Sequence, residues 1–94
     1  MYIAKVVFWG ANEGGRHVRP VSGFQPQIAV GDIHTSCVVE NLGSEGTFDF
    51  GKEYNVSLRL LFPNEYGNML LIGSPVHLYE GSKHIGQGEI VSIQ

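Results

Sequence analysis

The chain has a single cysteine, Cys37, among its 94 residues, so no disulfide can form within it. A lone thiol fits a reducing cytoplasm, where we expect the protein to be located. No apolar run approaches the roughly 20 residues that a membrane-spanning helix needs. The first residues lack the basic leader of a secretory signal and are interpreted as a strand. We therefore expect no membrane partner.

Positive charge is also scarce. Six Lys and Arg residues stand against nine Asp and Glu residues, for a formal net charge of −3. This balance argues against nonspecific binding to nucleic acid, which requires a basic field. Residues 1–31 carry three cations and one carboxylate, whereas residues 32–65 carry two cations and six carboxylates. Any anion-binding surface would therefore be local.

The common catalytic motifs are missing as well. The sequence contains no GxxxxGK[ST] phosphate loop, GxGxxG fingerprint, HExxH or GxSxG. His34 and Cys37 would face opposite sides of a strand, which is poor geometry for binding one ion. We interpret Cys37 as a buried structural thiol, and His34, His77 and His84 as surface residues. We predict a protein that is not an enzyme and needs no metal, nucleotide or other cofactor.

Thirteen glycines spread along the chain leave little room for helices. The segments between them are rich in the residues that favour strands. In "YNVSLRLLF" (54–62), every second residue is apolar and three of the four between them are polar, as in a strand with one face in a core. The other predicted strands are 2–9, 27–30, 34–39, 47–50, 75–81 and 84–93.

Short strands joined by turns predict one antiparallel barrel or sandwich over 1–94. Closure into a barrel would remove the exposed edges that promote aggregation. The segments 41–46 and 63–68 are predicted connectors. Gly86 and Gly88 in the last strand indicate a bulge or a closely approaching neighbouring strand.

The segment "NEGGRHVRPVSGFQPQ" (12–27) combines turn-forming residues with positive charge. One interpretation is a tight turn whose charged residues only keep it hydrated. In the other, the glycines expose backbone N–H groups while Arg16 and His17 reach a phosphate or carboxylate. Composition alone leaves both open.

The same segment resembles the start of the third, C-terminal domain of bacterial elongation factor Tu. In that family the run EGGRH is followed by a G-aromatic-R-P-Q element, which stands here as GFQPQ (23–27). The segment "VHLYEGSKHIGQGEIVSI" (76–93) resembles the family's closing strands, and "GKEYNVSLRLLFP" (51–63) is similar to a strand between them. The resemblance spans almost the entire chain.

The resemblance implies a closed, six-stranded, Greek-key-like antiparallel β-barrel without catalytic residues. In elongation factor Tu this domain helps to hold aminoacyl-tRNA by its T-stem backbone, packs on the GTPase domain and contributes to docking of the nucleotide-exchange factor. A comparable surface here requires that the 14–17 loop and the 80–82 turn lie together. The residues that match the contact positions are Arg16, His17, Gln27, Glu80 and Gly81.

The chain departs from the family where positive charge or aromatic residues are expected. Gln25 replaces an arginine, and Phe62 lies where some members have a basic or histidine side chain. Residues 28–30 replace an aromatic-rich continuation, and residues 31–41 do not reproduce the family's strand. The sequence includes neither the GTPase domain nor the second barrel, so we expect no nucleotide-dependent switch.

Three functions fit these observations. The preferred one is a protein-binding module that mimics the translation factor's third domain as a decoy, inhibitor or immunity-type protein. Apolar replacements at 28–30 and 62 would then add contact area, although repacking of the barrel explains them equally well. The alternative is a module that binds the backbone of tRNA or structured RNA. The third is a partial domain that assembles through exposed residues such as Trp9 and Tyr66, with its oligomeric state open.

Overall fold

The computed structural model describes residues 1–63 and 69–94, and these residues form six β-strands. A short 3-10 helix, Ala11–Glu13, follows the first strand. Within the described ranges, no helix is long and apolar enough to cross a membrane. The strands are β1 (Tyr2–Phe8), β2 (Gln27–Val30), β3 (Ile33–Asn41), β4 (Glu53–Leu60), β5 (Pro75–Glu80) and β6 (Lys83–Ile93).

The strands close into a barrel in the order β1-β4-β3-β2-β5-β6, and every neighbouring pair is antiparallel. Pairing of β6 with β1 closes the barrel, so each of the six described strands has a paired neighbour on both sides. The predicted fold class, a closed six-stranded antiparallel β-barrel, is confirmed.

The alternation in β4 points one row of side chains into the barrel. Tyr54, Val56, Leu58 and Leu60 are all buried, as the sequence pattern predicts. The strand ends at Leu60, two residues earlier than predicted, and Phe62 beyond it is 54% exposed. The apolar rows of the other strands complete one continuous core.

The predicted strand over 47–50 is wrong. The two ends of this segment form only isolated bridges, to Val21 and to Phe8. Its apolar alternation has another cause, since Phe48 is fully buried and its ring centroid lies 5.0 Å from that of Phe8. The segment is a loop that places one aromatic ring in the core.

Strand β6 passes very close to β1 at Gly86 and Gly88. A Cβ atom on Gly86 would lie 2.8 Å from Phe8 Cδ1 and 2.9 Å from the Val7 carbonyl oxygen. A Cβ atom on Gly88 would overlap the Lys5 carbonyl group. The pairing of β5 with β6 also shifts register beside Gly86. The predicted close approach is confirmed at both glycines, and the alternative prediction, a bulge, is confirmed beside Gly86.

We expect Gly88→Ala to lower the free energy of unfolding by about 1–3 kcal/mol, because the added methyl group meets backbone that cannot move without disturbing β1. Urea unfolding followed by circular dichroism measures this. Gly46→Ala is the matched control, since a Cβ there meets no atom within 4 Å. It should change the unfolding free energy by less than about 1 kcal/mol. Equal stability of the two variants would contradict the close-approach argument.

Candidate binding surface

The loop that carries Arg16 is folded tightly against the end of β1. The backbone N–H of Gly15 donates to the Gly10 carbonyl at 2.9 Å, and that of Arg16 donates to the Trp9 carbonyl at 3.1 Å. Gly14 has φ +84°, a left-handed conformation that favours glycine. A Cβ atom on Gly15 would overlap the Trp9 backbone. The glycines therefore permit the turn that sets the position of the arginine.

Arg16 joins this loop to the turn between β5 and β6. Its Nε lies 3.0 Å from Glu80 Oε1, and its guanidinium carbon lies 5.4 Å from the centroid of the Phe24 ring. The 14–17 loop and the 80–82 turn therefore lie together, which is the condition the predicted surface requires. Arg16 Nη1 is buried and has no hydrogen-bond partner among the described residues.

Of the other predicted residues, His17 and Gly81 are the sequence neighbours of Arg16 and Glu80, and Gln27 lies apart from them. His17 is exposed, and Gly81 turns the chain with φ +62°. Gln27 is half-buried on β2, where it pairs in register with Tyr79. An open depression of about 310 Å³ adjoins the loop and is lined by Gly10, Ala11, Asn12, Glu13, Arg16, His17 and Phe50. We call Arg16, His17, Glu80 and Gly81 the loop–turn surface; Gln27 lies one strand away.

Much of the positive charge in the described residues is already paired with carboxylates. The three ion pairs are Arg16–Glu80 at 3.0 Å, Arg19–Asp49 at 2.6 Å and Lys52–Glu45 at 3.2 Å. Exposed pairs of this kind contribute little to stability, about 0–1 kcal/mol each. They do affect binding, because an incoming phosphate would compete with a carboxylate for the same cation.

At the positions where the chain departs from the elongation factor Tu pattern, some side chains are buried and others are exposed. Ile28 and Val30 are fully buried in the core, so the interpretation of these two as partner contact area is wrong. Their apolar character serves the barrel interior. Phe62, by contrast, is exposed and available for contact. Trp9 is half-buried, and Tyr66 lies outside the described residues, as does most of the 63–68 connector.

Sequence reasoning missed a group of packed rings on the outside of the barrel. Tyr79 stacks between His34 and His84, with ring centroids 4.3 and 4.8 Å away and interplanar angles of 23° and 25°. The Trp9 ring packs edge-on against His84 at 4.7 Å. His77 Nδ1 lies 3.2 Å from His84 Nε2. We call these five residues the ring cluster.

Strand alternation contained a signal for this cluster. Leu78 is buried, so its neighbours His77 and Tyr79 point outward. A tight turn after Glu80 then places His84 directly opposite Tyr79 in the β5–β6 hairpin. Which rings touch also depends on the bulge in β6 and on the position of Trp9. The alternation of side chains along a strand predicts neither of these.

The thiol of Cys37 and the imidazole of His84 have shifted pKa values. Burial raises the pKa of the Cys37 thiol to about 12, as expected for a structural thiol. Burial and then the neighbouring His77 lower the pKa of His84, and a hydrogen bond with the Gly86 backbone partly opposes them.

Among the described residues, no group of three or more His, Cys, Asp or Glu side chains is arranged to hold a metal ion.

Native Cys37 should react with iodoacetamide far more slowly than the unfolded chain. A pKa near 12 reduces the thiolate fraction at pH 8 on the order of a thousandfold, and burial also blocks the reagent. Mass spectrometry of samples alkylated with and without urea measures the ratio. Rapid labelling of the native protein would contradict the structural role and make a thiol nucleophile worth testing.

The protein should lose stability as the pH falls through the range in which His84 titrates. In the unfolded chain His84 has its ordinary pKa of 6.5, whereas in the folded protein its pKa is lower. As the pH falls, the unfolded state therefore binds the proton first, and this favours unfolding. The unfolding free energy should therefore decrease from above pH 6.5 down to the lower folded-state pKa and then level off. Urea unfolding at several pH values tests this. His84→Gln should flatten this part of the profile, whereas the exposed control His17→Gln should leave it unchanged.

Comparisons with known proteins do not place the chain in a family. No family model matches it, and no curated protein matches it. The resemblance to the third domain of elongation factor Tu therefore stays a prediction.

Proposed function

We propose that this protein is a non-catalytic binding module that engages a protein partner through the loop–turn surface. The observation that carries the proposal is the Arg16–Glu80 ion pair. It joins two chain segments that are distant in sequence and presents one cation and one anion side by side. The Glu80 side chain is 40% exposed, so it can still accept hydrogen bonds from a partner.

Charge favours a protein over an RNA as the partner. The net charge is −3, and the arginine at the centre of the surface already has a carboxylate partner. RNA binding gains most of its affinity from phosphates neutralised by free cations, so this surface is poorly suited to it. Protein interfaces accommodate mixed charges of this kind, and arginine is enriched in them.

The proposed partner is a protein that binds the third domain of elongation factor Tu in the cytoplasm. Two blocks of the resemblance, EGGRH (13–17) and YEG (79–81), support this choice because they meet in space. A module that presents this surface alone would compete with the translation factor as a decoy, inhibitor or immunity-type protein. The GTPase domain and the nucleotide-exchange factor of elongation factor Tu are the two partners to test.

The protein should bind one of these two partners, and Arg16→Ala and Glu80→Ala should each weaken binding about tenfold or more, as for residues central to an interface. Biolayer interferometry with the immobilised protein measures the affinities. Lys52→Ala is the matched control, since it removes the same charge from a different ion pair. Its affinity should equal that of the unchanged protein.

Transfer RNA is the third analyte in the same experiment. Binding of tRNA alone, falling steeply between about 50 and about 200 mM salt and lost in Arg16→Ala, would overturn the protein-partner proposal and favour the RNA alternative. Binding of none of the three would overturn both. Gel filtration would then show whether the chain assembles with itself, as the third interpretation expects.

A further inference from the structure

We propose that His77 and His84 form a binding site for a divalent transition-metal ion of the Cu²⁺, Ni²⁺ and Zn²⁺ class, with His77 Nδ1 and His84 Nε2 as the two protein ligands. The site lies on the outer face of the β5–β6 hairpin. It is independent of the proposed partner binding and can be tested on the protein alone.

The distance between the two nitrogens fits one shared ion. His77 Nδ1 and His84 Nε2 are 3.2 Å apart. Metal–imidazole bonds are about 2.0–2.1 Å long, so two ligands at an angle of about 90° to 110° have nitrogens roughly 2.9–3.4 Å apart. The separation of the two nitrogens therefore matches that of two imidazole ligands on one ion.

The surrounding structure holds the His84 ring in place. One face stacks on Tyr79, and the edge contact with Trp9 restricts it further. The Trp9 indole N–H donates to the His84 carbonyl at 2.7 Å, which fixes the backbone at the same residue. His77 lies on the adjacent strand, with both strands joined by a tight turn. The surroundings therefore hold the ring of one ligand, His84, and the hairpin fixes the backbone that carries the other.

The proton positions also suit metal binding. In the contact between His77 Nδ1 and His84 Nε2, one nitrogen donates its hydrogen and the other accepts it with a lone pair. The donor nitrogen can bind an ion after its proton moves to the other nitrogen of the same ring, so both facing nitrogens then carry lone pairs and no net proton is lost.

The ligand set determines which ions fit. Imidazole nitrogens suit Cu²⁺, Ni²⁺ and Zn²⁺, and affinity at such sites is highest for Cu²⁺. Mg²⁺ and Ca²⁺ prefer oxygen ligands and should not bind. Two protein ligands leave the remaining coordination positions to water or to a ligand from solution.

Isothermal titration calorimetry of the protein, prepared without a histidine tag, tests the proposal with each metal alone. We expect one equivalent of Cu²⁺ to bind more tightly than Ni²⁺ or Zn²⁺, and Mg²⁺ to give no heat of binding. His77→Gln should lower the Cu²⁺ affinity at least tenfold. His17→Gln is the matched control, since it removes a histidine outside the ring cluster, and it should keep the affinity of the unchanged protein.

A second measurement locates the bound ion in the unchanged protein, without any substitution. Substoichiometric Cu²⁺ should broaden the proton NMR signals of the His77 and His84 rings before those of His17. Broadening centred on His17 or on the N-terminal amine would overturn the proposal. So would unchanged Cu²⁺ affinity in His77→Gln, or the absence of Cu²⁺ binding at up to about millimolar concentration.

Discussion

Closure of the barrel by the β1–β6 pairing is the constraint on which the other features depend. The two glycines of β6 allow it, because side chains there would collide with the backbone of β1 and with the Phe8 ring. Once β1 lies beside β6, Trp9 at its end reaches His84, and the following loop reaches the turn after β5. One backbone contact thus positions both the loop–turn surface and the ring cluster.

The two surfaces differ in the kind of interaction that maintains them. The loop–turn surface rests on an ion pair whose members are partly exposed, so a partner can rearrange it at low cost. The ring cluster rests on stacked and edge-on aromatic contacts among residues of β3, β5 and β6 and Trp9, which follows β1. Such contacts are less sensitive to salt, because they depend on packing and ring quadrupoles.

The residue pattern predicted an antiparallel barrel or sandwich, the resemblance specified a closed six-stranded barrel, and neither predicted the ring cluster. The alternation in 54–62 correctly predicted a core-facing row, and the spacing of Gly86 and Gly88 predicted a close approach. The pattern failed at 47–50, because a buried phenylalanine in a loop produces the same alternation as a short strand. The partners of Arg16 and His84 depend on closure and on a bulge, neither of which local periodicity encodes.

The edge contact between Trp9 and His84 gives the molecule a built-in optical signal. Trp9 is the chain's single tryptophan, so all indole emission comes from this one position. Imidazolium and bound paramagnetic ions both quench a neighbouring indole, and neutral imidazole does so far less. The emission intensity therefore reports the chemical state of the adjacent histidine without any label being added to the chain.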